Sequence, residues 1–315
     1  MTRGKADVHI HTKYSGLTRI LFFDFPDSLA EPKDIVSAAE KRGLNAICIT
    51  DHNTLRGAMQ VKAIPSSVEV IVSEEVSSTD GEILALFVTE EIPPGLTAAE
   101  TIDRIHAQGA LAVAPHPMSA HCRSLCMKME DLHLDGVEVL NASHRDGFGN
   151  RAAAELSNGL DIAKIGGSDA HSPMMVGNAY TVFDGVTGED LRKAIAQRQT
   201  MSEGRQTTLR EMVWMLTGHT AYVQRTIARS LLGLPMPGKH DVDPIIDDMR
   251  TITKILSLVA TTAFLTPPVP ALAGFVGDRV YSSMAKSMVS QLPARSPKAR
   301  PGTHGVPPHS EKVIK

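Results

Sequence analysis

Cysteine, aromatic residues and net charge are all scarce in this sequence. Only three of its 315 residues are cysteine, an odd number that suggests no disulfide framework, so we expect a reducing, cytoplasmic environment. Aromatic residues make up 4% of the chain and the formal net charge is −3, so we expect no stable complex with a nucleic acid. No apolar run of signal-peptide length stands in the first residues. A hydrophobic content of 42% with 21% charged residues is typical of a soluble globular protein.

Seven short apolar segments predict the strands of a buried sheet. Their Val, Ile, Leu and Ala residues would lie on both faces, as in strands that are covered on both sides. Helical stretches stand between several of them, such as residues 31–43, with Pro32 near the first turn and Gly43 just past the end. This order predicts an α/β fold with a mostly parallel barrel. The segments are DVHIH (7–11), NAICIT (45–50), VEVIVSEEVSS (68–78), EILALFV (82–88), ALAVAP (110–115), GVEVLNA (136–142) and AKIGGSD (163–169).

Side chains that can bind metals stand at the C-terminal ends of nearly all of these segments. His9 and His11 are two residues apart, so on a strand they share one face. Because the carboxyl ends of barrel strands meet at one rim, where active sites form, we expect these side chains to build a metal centre. The other residues at strand ends are Asp51, His52, Glu75, His116, Asn141, Asp169 and His171.

The motifs DVHIH, TDH and GSDAH, with EEVSS, APHP and VEVLN between them, resemble those of the PHP (polymerase and histidinol phosphatase) domain in order and approximate spacing. The resemblance extends over residues 6–207 and is to small stand-alone PHP proteins, which are metal-dependent phosphoesterases. It implies a distorted seven-stranded β/α barrel, with Glu75 bridging two ions. The implied metal ligands are His9, His11, His52, Glu75, His116, Asp169 and His171, with Glu82 and Asn141 as weaker candidates.

Two positions depart from the family pattern. Many family members carry an Asp soon after the first Ser-Gly, and it holds a third ion. Here Ser15 and Gly16 are followed by Asp24 and Asp27, so a third ion would require one of these to fold back. Family members often carry His where this chain has Glu82, a carboxylate that suits a harder ion. The mixed imidazole and carboxylate ligands predict two or three divalent ions, which could be Zn, Mn or Fe.

The resemblance implies hydrolysis of a phosphoester by a water molecule that the ions acidify, with no nucleophilic side chain. The residues expected to be catalytic are His52, Asp169 and His171, with His52 or His171 protonating the leaving group. Lys13 and Arg145 follow strand ends and could contact a substrate phosphate. The expected substrate is a small phosphorylated metabolite or a short nucleotide.

Other functions remain open from the sequence. A nuclease-like phosphodiesterase on oligonucleotide ends would use the same chemistry, and a non-catalytic metal-binding scaffold would keep the ligands without turnover. Metal-dependent amidohydrolases also begin with His-x-His, although SDAH and TDH fit the PHP pattern better. We expect His121 and His144 to be ordinary loop residues, and Cys122 with Cys126 to be too weak a pair for a zinc site.

The chain changes character after residue 207. Apolar residues then recur at three- and four-residue steps, which predicts about three amphipathic helices. Residues 255–277 carry no charge, but prolines interrupt them, so we expect a buried helical hairpin and no membrane contact. The predicted organisation is a PHP-like barrel over 1–207, a small all-helical region over 208–292 and a disordered Pro-rich tail over 293–315.

Overall fold

The computed structural model describes residues 2–20 and 23–292, so the tail predicted to be disordered lies outside the described residues. All seven predicted strands are present. Numbered along the described chain, the strands are β1 (Arg3–Ile10), β2 (Leu17–Ile20), β3 (Phe23–Pro26), β4 (Ala46–Ile49), β5 (Glu69–Ser77), β6 (Glu82–Leu86), β7 (Leu111–Ala114), β8 (Gly136–Asn141), β9 (Ala163–Gly167), β10 (Ala179–Asp184) and β11 (Met201–Gly204).

The main sheet has nine strands in the order β11-β10-β1-β4-β5-β6-β7-β8-β9, and it is nearly closed into a barrel. Ile10 at the end of β1 pairs with Ala170 just beyond β9, which brings the two sides of the barrel together. The sheet is mixed, whereas the sequence predicts a mostly parallel one. Strand β6 runs antiparallel to both β5 and β7. Residues 78–81 between β5 and β6 are too few for the crossover of about a dozen residues that a parallel pair needs.

Helices cover the outside of the barrel, and the central strands are buried on both faces, whereas the edge strand β11 has no buried residue. Strand β4 has no exposed residue, as its apolar composition predicts. The first helix begins with Pro32, and its buried residues Ile35, Val36 and Ala39 face the sheet. Gly43 follows its end with a φ of +65°, a conformation that glycine adopts without strain. The barrel helices are α1 (Pro32–Lys41), α2 (Arg56–Lys62), α3 (Ala98–Ala107), α4 (Gly149–Ser157) and α5 (Gly188–Ala196).

Four further helices follow the barrel, α6 (Leu209–Leu231), α7 (Val242–Asp248), α8 (Thr251–Leu265) and α9 (Val269–Ser290). The structure therefore confirms a helical C-terminal region, with one more helix than predicted. The extra helix arises because the second periodic stretch breaks at Met249, which leaves the helical conformation with a ψ of 145°. A buried cluster that includes Val223 and Ile246 joins α6 to α7. The domain boundary at residue 207 stays a prediction.

The prediction of a buried hairpin over residues 255–277 is wrong. Helices α8 and α9 meet at 85°, and they pack on α6 with one side while the other side is exposed. Val259 is 63% exposed and Leu272 is 56% exposed. Within the described residues no single helix has the length and apolar character to cross a membrane, but α8 and α9 together meet that test by length and composition.

Candidate metal centre

The ends of β1, β5 and β9 bring four ligand-type side chains together beneath the barrel rim. The Nε2 atoms of His9 and His11 are 3.1 Å apart, and both rings are buried. Glu75 places Oε2 3.3 Å from each of these nitrogens. Asp169 places Oδ1 3.6 Å from His9 Nε2 and 3.3 Å from His11 Nε2. The four donor groups therefore face a single point.

The second carboxylate oxygen of Glu75 faces a different group. Its Oε1 lies 3.1 Å from His116 Nε2, which is 3.9 Å from Oε2 of Glu82. Glu75 thus lies between two sets of donors, which is the placement that a bridging carboxylate requires. Burial, followed by the negative charge of Glu75, raises the pKa of Glu82 to about 7.

A third set of donors stands at the mouth of the site. Asp27 Oδ2 lies 3.3 Å from His171 Nε2, 3.8 Å from His11 Nδ1 and 4.0 Å from His52 Nε2. The side chains of His52 and His171 are 27% and 21% exposed, so they face solvent more than the other imidazoles of the centre. Asp24 and Asp27 were the two carboxylates that could fold back, and it is Asp27 whose side chain reaches the metal centre.

The short hairpin formed by β2 and β3 explains why Asp27 returns and Asp24 does not. The backbone N–H of Asp27 donates to the carbonyl of Gly16 at 3.0 Å, which closes the base of the hairpin beside β1. Asp24 instead accepts two hydrogen bonds from the guanidinium of Arg19, its cross-strand partner. Gly16 has a φ of +85°, so the turn into the hairpin uses the freedom of glycine.

Glu138 in β8 belongs to the site, although the sequence argument did not select it. It is fully buried, and its Oε1 lies 3.3 Å from His9 Nδ1. Its Oε2 accepts from the backbone N–H of His116 and from the side-chain amide of Asn141, both at 2.8 Å. A carboxylate inside an otherwise apolar buried strand is rare without a partner, and this signal would have revealed it.

Asn141 lies in the centre, but its polar atoms are already engaged. Its Nδ2 donates to Glu138 Oε2 and to Asp169 Oδ2 at 3.1 Å. Its Oδ1 accepts from the backbone N–H groups of Ser143 and His144. The arrangement therefore favours a role in orienting two carboxylates over the role of a metal ligand.

The two predicted phosphate contacts are held by carboxylates. Lys13 Nζ lies 2.8 Å from Oε2 of Glu31. Arg145 Nε lies 2.9 Å from Oδ1 of Asp278 in α9, and its Nη1 donates to the carbonyl of Thr207. These contacts direct neither the Lys13 nor the Arg145 side chain at the metal centre.

Ser168 is fully buried, and its hydroxyl makes no contact typical of a nucleophile with the residues that the structure describes. Its hydroxyl donates to the carbonyl of His9 at 3.2 Å, and its backbone N–H donates to Asp7 Oδ1 at 2.9 Å. The sequence argument treated this hydroxyl as a structural group, and these hydrogen bonds agree with that interpretation.

The electrostatics of the centre favour a positive charge among the imidazoles. Burial opposes the charge of His11, yet hydrogen bonds to Asp169 and Glu75 outweigh it and raise its pKa to about 10. Burial likewise opposes ionisation of Asp27, but His171 and then His52 outweigh it and lower the pKa of that carboxyl. Anionic carboxylates that attract protons onto neighbouring imidazoles would equally attract a divalent cation.

The residues of the centre fit divalent metal ions by a structural test as well as by composition. Buried Asp27 Oδ2 and His52 Nδ1 have no hydrogen-bond partner among the described residues, although His52 Nδ1 lies 3.4 Å from Oε2 of Glu75. Imidazole nitrogens and carboxylate oxygens are the donors that Zn, Mn and Fe share. Several groups of three donors lie within 4.8 Å of one another, including His9 with His11 and Glu75, His11 with Asp169 and His171, and His11 with Asp27 and His52.

Comparisons with known proteins agree with the sequence motifs. The PHP domain family model matches residues 7–91, and the model of the PHP-associated family matches residues 147–200. The uncharacterized protein MJ1587 of Methanocaldococcus jannaschii is 50% identical over 151 residues, which are 47% of this chain and 88% of that protein. The uncharacterized protein MJ0417 of the same organism is 34% identical over 188 residues, or 57% of this chain and 70% of that protein.

Two solved structures share the fold. One is a two-domain protein of Bacteroides vulgatus described as containing a predicted PHP-like metal-dependent phosphoesterase, with a TM-score of 0.54 and 20% identity. The match covers 65% of this chain and 65% of that one. The other is PsfC from Pseudomonas syringae, with a TM-score of 0.52 and 18% identity over 70% of this chain and 98% of that one. The shared motifs and the two family-model matches show that the chain belongs to the PHP domain family.

Proposed function

We propose that the chain is a metal-dependent phosphoesterase in which water attacks the phosphoester directly. The observation that carries this proposal is the position of Glu75, which has His9 and His11 on one carboxylate oxygen and His116 on the other. A carboxylate between two sets of imidazoles is suited to holding two cations close together, as hydrolytic sites with two metals require.

We further propose that the site holds two ions and has the donors for a third. The third set depends on Asp27, whose buried Oδ2 faces imidazoles and has no hydrogen-bond partner among the described residues. The proposed donor sets are His9, His11, Glu75 and Asp169; Glu75, Glu82 and His116; and Asp27, His52 and His171.

Bound divalent ions would lower the pKa of water and offset the charge of the phosphoryl oxygens. The protein's own part is to orient the donors. Glu138 lies at Nδ1 of His9, and the hydroxyl of Ser15 lies 2.9 Å from Nδ1 of His11. Each contact leaves Nε2 directed at the centre, since a partner on one ring nitrogen fixes the role of the other.

The leaving group needs a proton, and we propose that His52 or His171 donates it when that imidazole is not binding a third ion. These are the two partly exposed imidazoles at the mouth, where a bound ester would enter. Nδ1 of His171 lies 3.0 Å from the carbonyl of Asp169, which holds the ring in place and directs Nε2 to the mouth. The substrate class that we propose is a small phosphorylated metabolite or a short nucleotide. Lys13 or Arg145 could contact a second phosphate of it after leaving its carboxylate partner.

The experiment is a turnover assay on the full chain, expressed with added Zn, Mn or Fe, against a panel of phosphomonoesters and phosphodiesters. We expect His9→Ala and Asp169→Ala to abolish turnover, because each removes a donor from the centre. Ser168→Ala should retain substantial activity. His106→Ala is a matched control, since that imidazole is exposed and pairs with Asp135 on the surface.

A monoester reaction run in ¹⁸O-labelled water should place one solvent oxygen in the released phosphate. A trapped phosphorylated side chain, or an inactive Ser168→Ala variant that keeps its metal, would refute direct attack by water. Absence of turnover across the panel with metal bound would refute the phosphoesterase assignment itself. The three free cysteines also fit a reducing cytoplasm, which we propose as the location.

A further inference from the structure

We propose that His116, Cys122 and His144 form an additional metal site beside the centre, which takes a thiophilic divalent ion such as Zn²⁺. One ligand atom from each of the three residues lies within 4.8 Å of the other two. Neither Cys122 nor His144 belongs to the ligand set that the family motifs imply. The sequence analysis expected His144 to be an ordinary loop residue, and Cys122 with Cys126 to be too weak a pair for a zinc site.

The loop that carries Cys122 lies over the rim of the barrel, and hydrogen bonds within the loop fix its shape. Ser119 Oγ accepts hydrogen bonds from the backbone N–H of His121 at 3.2 Å and of Cys122 at 2.9 Å. The rings of His121 and His144 stack with their centroids 4.5 Å apart, and His144 lies 5.1 Å from the ring of His116. The folded loop therefore brings the thiol beside His116, at the start of the same segment, and His144, from the loop after β8.

Two buried ring nitrogens at this place have no hydrogen-bond partner among the described residues. His144 is 2% exposed and its Nε2 is unpartnered, while His116 is 5% exposed and its Nδ1 is unpartnered. A buried polar atom that is left without a partner destabilises the fold. Two such atoms beside one thiol are explained if a cation is their partner.

The donor chemistry separates this site from the neighbouring centre. Two nitrogens and one sulfur are a donor set that Zn²⁺ accepts, and three protein ligands leave a fourth position for water or another molecule. Binding forms a metal–thiolate bond and releases the thiol proton to solvent, and His116, which would hold one ion on each ring nitrogen, also releases its remaining ring proton; no redox partner is needed. His116 presents Nε2 to Glu75, so Nδ1 is the nitrogen left for the additional ion.

The test is reconstitution of the full chain with Co²⁺ alone, followed by absorption spectroscopy and elemental analysis. A cobalt–thiolate bond gives a charge-transfer band in the near ultraviolet, which oxygen and nitrogen ligands do not give. We expect this band in the wild-type protein, and we expect Cys122→Ser to lose it together with one ion per chain. His144→Asn should weaken the band. Cys126→Ser is the matched control, because that thiol lies in the same segment and already contacts Ser124 Oγ at 3.3 Å.

A wild-type protein with full cobalt occupancy of the centre and no charge-transfer band would overturn the proposal. So would a band that survives Cys122→Ser. Alkylation gives a second measurement that does not depend on any variant folding. Zn²⁺ should protect Cys122 from iodoacetamide at least tenfold relative to metal-free protein, as read by mass spectrometry, and equal labelling would count against the site. Neither readout requires turnover, so failure of the site and failure of the phosphoesterase assignment are distinguishable.

The exposed apolar surface of α8 and α9 carries a second, independent inference. Exposed side chains on α8 include Leu256 and Val259, and those on α9 include Leu272 and Val276. The close approach of α9 to α6 fixes which side is outward, because a Cβ at Gly274 would lie 2.5 Å from a methyl group of α6. We call this surface the α8–α9 elbow. A group of exposed apolar side chains on adjoining helices is typical of an interaction site.

We propose that the α8–α9 elbow binds a lipid surface with anionic headgroups. The two helices together have a membrane-like length and composition, and because they meet at 85° their exposed apolar side would lie on a lipid layer rather than cross it. Arg250 and Arg279 flank the uncharged stretch over residues 255–277 in sequence, the intervening Asp278 is paired with Arg145, and residues 293–315 contain five Lys or Arg residues and one acidic residue. Apolar insertion combined with flanking cations is typical of segments that bind anionic membranes.

Vesicle flotation of the full chain tests this proposal. We expect the protein to float with phosphatidylglycerol vesicles, and less with phosphatidylcholine vesicles. Leu256→Glu combined with Leu272→Glu should reduce the floated fraction at least tenfold. Met59→Glu is the control, because Met59 is 56% exposed but lies on α2. No flotation of the wild-type protein, or equal flotation of the double variant, would overturn the proposal. A dimer that the double variant loses, without vesicle binding, would assign the elbow to a second copy of the chain.

Discussion

Replacing Asp27 by Asn tests the third donor set and separates it from the rest of the site. The change keeps the size of the side chain and removes its negative charge from three imidazoles that lie 3.3–4.0 Å away. A pair of unit charges about 4 Å apart interacts by about 4 kcal/mol at an effective dielectric constant of ~20. Since about 1.4 kcal/mol is tenfold in affinity, an ion in this set should bind about three orders of magnitude more weakly.

The assay is elemental analysis of the purified variant, combined with turnover of the best phosphoester from the panel as metal is titrated back. We expect Asp27→Asn to lose one ion per chain and to need far more added metal for turnover. Asp24→Asn is the control, because that carboxylate lies in the same hairpin and pairs with Arg19. Groups that only orient a ligand cost about 10–100-fold in affinity or activity when removed. If Asp27→Asn lost less than about 10-fold in metal affinity or activity and kept the full number of ions, the assignment of Asp27 as a ligand would be refuted.

Three further predictions concern residues around the centre. Glu138→Gln should lower turnover by about 10–100-fold, because it disturbs the carboxylate at His9 Nδ1, and steady-state kinetics measure this. Arg145→Ala and Asp278→Ala should each lower the free energy of unfolding by ~1 kcal/mol or less, as denaturant titration can show; a loss of turnover in Arg145→Ala alone would instead indicate a phosphate contact. A hydrogen bond from Arg205 lowers the pKa of Glu211 to about 2 in the folded protein. The ionised Glu211 therefore stabilises the folded state fully above pH ~4.5, and this contribution is lost as the pH falls towards ~2. Thermal unfolding of Glu211→Gln should therefore show a weaker dependence on pH over that range than the wild-type protein, and identical profiles would contradict this.

The barrel strands could be predicted because each is a short run of apolar residues that is buried on both faces. The orientation of β6 could not, since apolar composition is the same for parallel and antiparallel neighbours. The length of the 78–81 connection did indicate the orientation, because it is too short for the crossover that a parallel pair needs. The exposed elbow was missed for a related reason. An apolar helix has the same sequence pattern whether a protein core, a lipid layer or a partner covers it.

Within the site, the residues that follow strands could be predicted because strand ends meet at one rim. Asp27 could be raised only as an option, since its return depends on how a hairpin closes on Gly16. Glu138 was missed because it stands inside a strand rather than at its end. His144 and Cys122 come close together only because two loops fold towards each other, and no residue spacing in the sequence predicts this.

Helix α9 connects the elbow to the rim of the metal centre. On one side it carries the exposed apolar residues, and on the other its Asp278 holds Arg145 while its Tyr281 lies 4.7 Å from the ring of His121. By thermodynamic linkage, the effect of binding at the elbow on affinity at the rim equals the effect of binding at the rim on affinity at the elbow. Any occupant of the elbow that displaces α9 will change the affinity of the rim for its ligands by some factor. Ligands at the rim will change the affinity of the elbow by the same factor.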